Sequence, residues 1–80
     1  MASRSRRLIR DAVEVVLRRL LALSPSPEVE ALRAKAEDYL REAEVWSKSP
    51  PTVEARERLM KSVLKLHVAV AELEREVAGD

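Results

Sequence analysis

The sequence has no cysteine, no phenylalanine, one glycine and one histidine among its 80 residues. Without cysteine, the chain can form no disulfide, no thiolate nucleophile and no Cys-based metal site. A single histidine provides no imidazole pair for a metal ion or for acid–base catalysis. The only glycine is Gly79, so no glycine-rich loop can hold a phosphate. These absences predict a protein that is not an enzyme and that takes no metal, cofactor or small molecule.

Membrane and nucleic acid are also poor candidates for partners. No apolar run approaches the ~18 residues that a membrane-spanning helix needs. Six arginines in the first 23 residues superficially suggest a targeting segment or a basic ridge, but Asp11 and Glu14 interrupt both patterns. The net charge is only +1, and the aromatic residues are limited to Tyr39 and Trp46. We therefore expect neither a membrane nor a nucleic acid as partner, and the composition leaves the localisation open.

The residues that are abundant belong to helices. Hydrophobic residues make up 46% of the chain and charged residues 36%, and most are Ala, Leu, Val, Glu and Arg. Two Ser/Pro-rich joints, at residues 24–27 and 47–52, divide the chain into three segments. They predict helices at about residues 4–23, 27–46 and 50–78 in one domain spanning residues 1–80. Because the joints are short, we expect an all-α, up-down-up, three-helix bundle with a longer third helix.

The helix ends carry recognisable signals. Ser3 or Ser5 is a candidate N-cap for helix 1, and Ser26 followed by Pro27 predicts the start of helix 2. Ser49 is the predicted cap of helix 3, with the two following prolines in its first turn. Gly79 is expected to terminate that helix.

Each helix carries one apolar stripe that predicts a shared core. In helices 2 and 3 the spacing of these residues alternates between three and four, and in helix 1 they lie on one face, as expected for helices that pack side by side. The stripes are Ile9, Ala12, Val13, Val16, Leu20 and Leu23 in helix 1; Val29, Leu32, Ala36, Tyr39, Ala43 and Trp46 in helix 2; and Leu59, Val63, Leu66, Val70, Leu73 and Val77 in helix 3.

Helix 3 carries a second apolar stripe that the core does not require. It consists of Val53, Met60, Leu64, Val68 and Ala71, with His67 beside it. These residues lie roughly 60–140° around the helix from Val63, taking 100° per residue. The apolar arc of helix 1 is also wide, because Leu17 and Leu21 extend it on one side and Leu8 and Val15 on the other. Which flank adjoins helix 3 depends on the handedness of the bundle, which the sequence does not specify.

These surplus residues predict a protein–protein interface formed by helices 1 and 3. For the interface we select Met60, Leu64, His67, Val68 and Ala71 of helix 3 with Leu17 and Leu21 of helix 1. His67 is interpreted as a residue at the edge of the core with one ring nitrogen exposed, or alternatively as an interface contact.

The style of the sequence suggests an origin. The segments PEVEALRAKAEDYLREAE (residues 27–44) and PPTVEARERL (residues 50–59) combine Ser-Pro caps with Ala, Glu, Lys and Arg at exposed positions. They resemble the sequences of de novo designed helical bundles. The resemblance implies a protein made to fold and to bind or assemble, and it assigns no role to any residue.

Three functions remain open at this stage. Self-assembly into a homo-oligomer is favoured because the surplus residues are aliphatic, like a core divided in two. A binder of another protein would use the same surface, but binders more often present aromatic or Arg anchors, so an exposed Trp46 would favour this alternative. The third possibility is a plain monomeric scaffold, in which Met60 and Leu64 only broaden the core.

Overall fold

The computed structural model describes residues 2–79, with side chains from Arg6 onward, and forms three α-helices. They are α1 (Ala2–Leu21), α2 (Pro27–Val45) and α3 (Val53–Gly79). Each helix packs against both others in a bundle 44 Å long and 17 Å across. At 27 residues, α3 is longer than α1 with 20 and α2 with 19. The predicted all-α, three-helix bundle with a longer third helix is confirmed.

The start of α2 follows the sequence signal. Ser26 has an extended backbone, and its Oγ accepts a hydrogen bond of 3.2 Å from the Val29 N–H. Pro27 is the first helical residue, where its missing N–H costs nothing. Glu28 and Glu30 place negative charge in the first turn, next to the positive end of the helix dipole. The predicted Ser-Pro cap is confirmed.

The predicted cap of α3 was wrong. The helix begins at Val53, and Thr52 caps it by accepting a hydrogen bond of 3.1 Å from the Ala55 N–H. Ser49 instead donates its backbone N–H to the Val45 carbonyl oxygen at 3.0 Å and so belongs to the turn after α2. The reason is steric, because a residue that precedes a proline avoids the helical region. Pro50 precedes Pro51, so the helix cannot begin before Pro51.

The ends of α1 also differ from the prediction. The helix includes Ser3 and Ser5, so neither serine precedes it as an N-cap; their side chains lie outside the described residues. At the other end, the N–H groups of Ala22 and Leu23 bond to carbonyl oxygens three residues earlier, at 3.2 and 3.1 Å. Such bonds tighten the last turn of a helix. Pro25 then prevents Ser24 from continuing it.

Two contacts define how α1 and α3 lie together. The His67 ring contacts Ala12, and the Glu74 carboxylate contacts Arg19, with the same separation of 55 residues in each case. An equal separation at two levels requires that the helices run parallel and in register. The expected up-down-up arrangement, in which helices 1 and 3 are parallel, is therefore confirmed.

The predicted stripes form the core. Its buried residues are Ile9, Val13, Val16, Leu20, Val29, Ala36, Ala43, Trp46, Leu59, Val63, Leu66 and Val70. Ala12, Leu23, Leu32, Tyr39 and Leu73 are partly buried against this cluster, as is Leu17. Among the stripe residues only Val77 is exposed, with 52% of its surface accessible. With contacting residues 55 positions apart, α3 extends past α1 at both ends, by residues 53–56 before the level of Ala2 and by residues 77–79 beyond the level of Leu21.

Arg19 and Glu74 form a two-point ion pair that joins the C-terminal halves of α1 and α3. Arg19 Nε donates to Glu74 Oε2 at 3.1 Å, and its Nη2 donates to Oε1 of the same carboxylate. These hydrogen bonds lower the pKa of Glu74 below its usual value, and the neighbouring positive charge acts in the same direction. The same bonds raise the pKa of Arg19. Arg19 also lies in the last turn of α1, where a cation suits the helix dipole.

This ion pair predicts a pH dependence of stability. A carboxyl group whose pKa is lower in the folded state contributes stability above its unfolded pKa, and loses it as the pH falls through the folded value. We therefore expect Glu74→Gln to lower the thermal midpoint at about pH 7, and the difference from wild type to vanish at about pH 2. Glu76→Gln, at an exposed carboxyl on the same helix, is the matched control. An E74Q deficit that persists unchanged at low pH would show that the ion pair does not cause it.

Candidate functional site

The second apolar stripe of α3 is exposed in the folded chain. Met60 is 43% exposed, Leu64 64% and Val68 56%. These residues follow one another at intervals of four, so they form a row along one edge of the helix. Ala71 and His67 are half-buried between this row and the core. The bundle does not use this edge itself, which argues against the interpretation that Met60 and Leu64 only broaden the core.

The exposed row of α3 continues onto α1. Leu8 and Val15 are exposed on the flank of α1 that faces α3, and the half-buried Ala12 lies between them. A hollow of about 150 Å³ connects the two helices at this point, lined by Leu8, Ile9, Ala12, Met60, Val63, Leu64 and His67. We call the exposed residues Leu8, Val15, Met60, Leu64 and Val68 the α1–α3 patch.

Leu17 and Leu21, which we selected for the interface from the sequence, lie on the opposite flank of α1. Both line a separate hollow beside α2, which includes Val29 and Arg33. An ion pair of 3.8 Å between Arg6 and Glu44 lies on this same flank. The flank of α1 that lies next to Met60 and Leu64 is therefore the one that carries Leu8 and Val15. The choice between the flanks follows from bundle handedness, which is a property of the packing and not of either helix.

His67 joins α3 to α1 at the centre of the patch. Its Nε2 lies 3.1 Å from the Ala12 carbonyl oxygen. Because a carbonyl oxygen only accepts hydrogen bonds, this contact assigns the proton to Nε2 as donor. The half-buried ring is thus a residue at the edge of the core. Its position beside the apolar stripe was visible in the sequence, but its partner lies on another helix and was not.

Charged residues border the apolar row of α3. Glu57 precedes the row, Lys61 lies beside it next to Met60, Glu72 and Arg75 follow it, and all four are exposed. Toward the C-terminal ends of α1 and α3, the ion pair between Arg19 and Glu74 joins the two helices. The arrangement is an aliphatic centre with a charged border, which is the usual composition of a protein interface.

Three other kinds of feature are absent from the described residues. Within residues 2–79, no cluster of three or more His, Asp or Glu residues is placed to hold a metal ion. Among residues 6–79, whose side chains the structure describes, every buried side-chain nitrogen or oxygen has a hydrogen-bond partner. No described helix is long and apolar enough to cross a membrane. Trp46 is buried with 6% exposure, and Tyr39 is half-buried.

The function of the exposed apolar surface is inferred from the residues that form it. The fold brings the residues of the α1–α3 patch together and leaves them exposed. No protein-family model, curated protein or solved structure matches this chain.

Proposed function

We propose that this chain is a non-enzymatic helical bundle of the designed kind that binds a second copy of itself through the α1–α3 patch. The observation that carries the proposal is the exposure of five aliphatic side chains on adjoining edges of two parallel helices. Soluble monomers rarely leave a contiguous apolar surface of several hundred Å² in contact with water.

Burial of the patch in a dimer would favour association. Burying about 400 Å² of apolar surface contributes about 10 kcal/mol before the entropy of association is subtracted. That entropy costs at least ~4 kcal/mol, so the surplus is at most about 6 kcal/mol, which corresponds to a Kd of tens of micromolar or weaker. Association of this strength depends on concentration, which makes it measurable.

The chemistry of the patch favours a second copy over an unrelated partner. All five residues are aliphatic, whereas binding surfaces for other proteins are commonly anchored by Trp, Tyr or Arg. The single tryptophan, Trp46, is packed in the core. A closed twofold interface needs one surface that is complementary to itself, and an aliphatic ridge flanked by both signs of charge satisfies this condition.

The test is the molar mass in solution, measured by light scattering on a sizing column at several concentrations. We expect a mass that rises with concentration from the 9.1 kDa of one chain toward that of two. If the mass stays at that of one chain up to about 1 mM protein, self-association is contradicted, because a Kd in the expected range would produce dimers at that concentration. In that event the binder and the plain scaffold would remain.

A further inference from the structure

The exposed edge of α3 has opposite charges at its two ends. Glu57 and Arg75 are separated by 18 residues, which is five full turns, so they lie on the same line along the helix. Leu64 lies within about 20° of that line, and Val68 is its neighbour one turn later. The edge therefore has an acid at the N-terminal end, aliphatic residues in the middle and a base at the C-terminal end.

Several pairs on this surface are symmetric about one level of the bundle. The midpoint of Glu57 and Arg75 is Leu66, and the midpoint of Leu64 and Val68 is also Leu66. Lys61 and Glu72, a second pair of opposite charges, are centred between Leu66 and His67.

The exposed residues of α1 are symmetric about the same level. The midpoint of Leu8 and Val15 lies between Asp11 and Ala12. Ala12 accepts the hydrogen bond from His67, so this midpoint is level with the one on α3. Two helices thus indicate the same level independently.

From this symmetry we propose that two copies of the chain associate antiparallel, about a twofold axis that lies between them, perpendicular to α3, at the level of Leu66. This inference rests on the proposed self-association and specifies its geometry. In this arrangement Leu64 packs against Val68 of the other copy, and Glu57 faces Arg75 at both ends. Lys61 faces Glu72 in the same way, so the apolar centre is enclosed by four ion pairs.

A parallel arrangement of the α3 edges brings like charges together. Each residue of α3 then faces its own copy, so Glu57 meets Glu57 and Arg75 meets Arg75. Like charges placed directly opposite are unfavourable, whereas opposite charges steer and orient an encounter. Charge complementarity therefore selects the antiparallel orientation.

Charge reversal tests this geometry. We expect Glu57→Arg alone and Arg75→Glu alone each to raise the dimer Kd about tenfold at low salt, because each creates two repulsive contacts. The double variant Glu57→Arg with Arg75→Glu restores attraction at both ends, and its Kd should return to within about threefold of wild type. In a parallel dimer each reversal replaces one like-charge contact by another, so the single variants would leave the Kd unchanged and overturn the proposal.

Engineered cysteines provide a second measurement, because the chain has no native cysteine that could form a competing disulfide. In the antiparallel dimer, a mixture of Glu57→Cys and Arg75→Cys chains forms a mixed disulfide under mild oxidation. Neither variant alone does so, since two copies of residue 57 are then about 27 Å apart. Cross-linking of each variant with itself, without the mixed product, overturns the antiparallel geometry. A wild-type chain that stays monomeric refutes the self-association itself, whereas a dimer that fails these two tests refutes only its geometry.

Discussion

Replacing both Leu64 and Val68 with Glu, which places like charges opposite each other in the dimer, is expected to abolish self-association while the bundle stays folded. Both side chains are more than half exposed in the single chain, so their replacement should change the free energy of unfolding by less than about 1 kcal/mol. In the dimer the same changes remove apolar burial on both copies and place charges in its centre. We expect the dimer Kd to rise more than about a hundredfold.

The measurement pairs molar mass with circular dichroism and urea unfolding. The matched control is Leu21→Glu with Val45→Glu, which makes the same chemical changes at residues 73% and 59% exposed outside the patch. We expect this control to associate like wild type. Loss of helicity in the Leu64/Val68 variant would show that these residues belong to the core. Loss of association in the control would show that the interface uses the flank of Leu21.

Replacing Trp46 with Ala is expected to have the largest effect on stability. Trp46 directly follows α2 and is the largest side chain in the buried cluster. Removing a buried aromatic ring leaves a cavity and costs about 3–5 kcal/mol, a large part of the stability of an 80-residue domain. The thermal midpoint should fall in proportion.

Unfolding is best measured in the L64E/V68E background, because association would otherwise contribute to the apparent stability. The matched control is Val45→Ala at the neighbouring residue, which is exposed and should cost less than about 0.5 kcal/mol. A cost for Trp46→Ala as small as that of the control would mean that the ring is not packed in the core. An accessible tryptophan would then favour binding of another protein over self-association.

Local signals in the sequence predict most of the fold. The Ser26–Pro27 cap depends only on neighbouring residues, and it was predicted correctly. The core stripes follow from helical periodicity, and all except Val77 are buried or partly buried. The true cap of α3 was accessible to the same reasoning, since the steric effect of Pro51 on Pro50 excludes an earlier start. It was missed because Ser49 is the stronger capping residue by type.

The sequence by itself also indicated that α3 has one apolar stripe more than its core needs. This conclusion requires only the angle of each residue around its own helix, and the structure leaves Met60, Leu64 and Val68 exposed as that angle implies. Whether this surface binds a second copy stays a prediction.

Only the tertiary structure decided which flank of α1 lies beside that stripe. Leu17 and Leu21 are as apolar as Leu8 and Val15, so either flank could face α3 until the handedness of the bundle is known. The contacts of Ala12 with His67 and of Arg19 with Glu74 join residues 55 positions apart, and they specify both the flank and the register. Handedness and register arise from the packing of all three helices together. Helical periodicity describes one helix at a time, so it specifies neither the handedness of the bundle nor the register between helices.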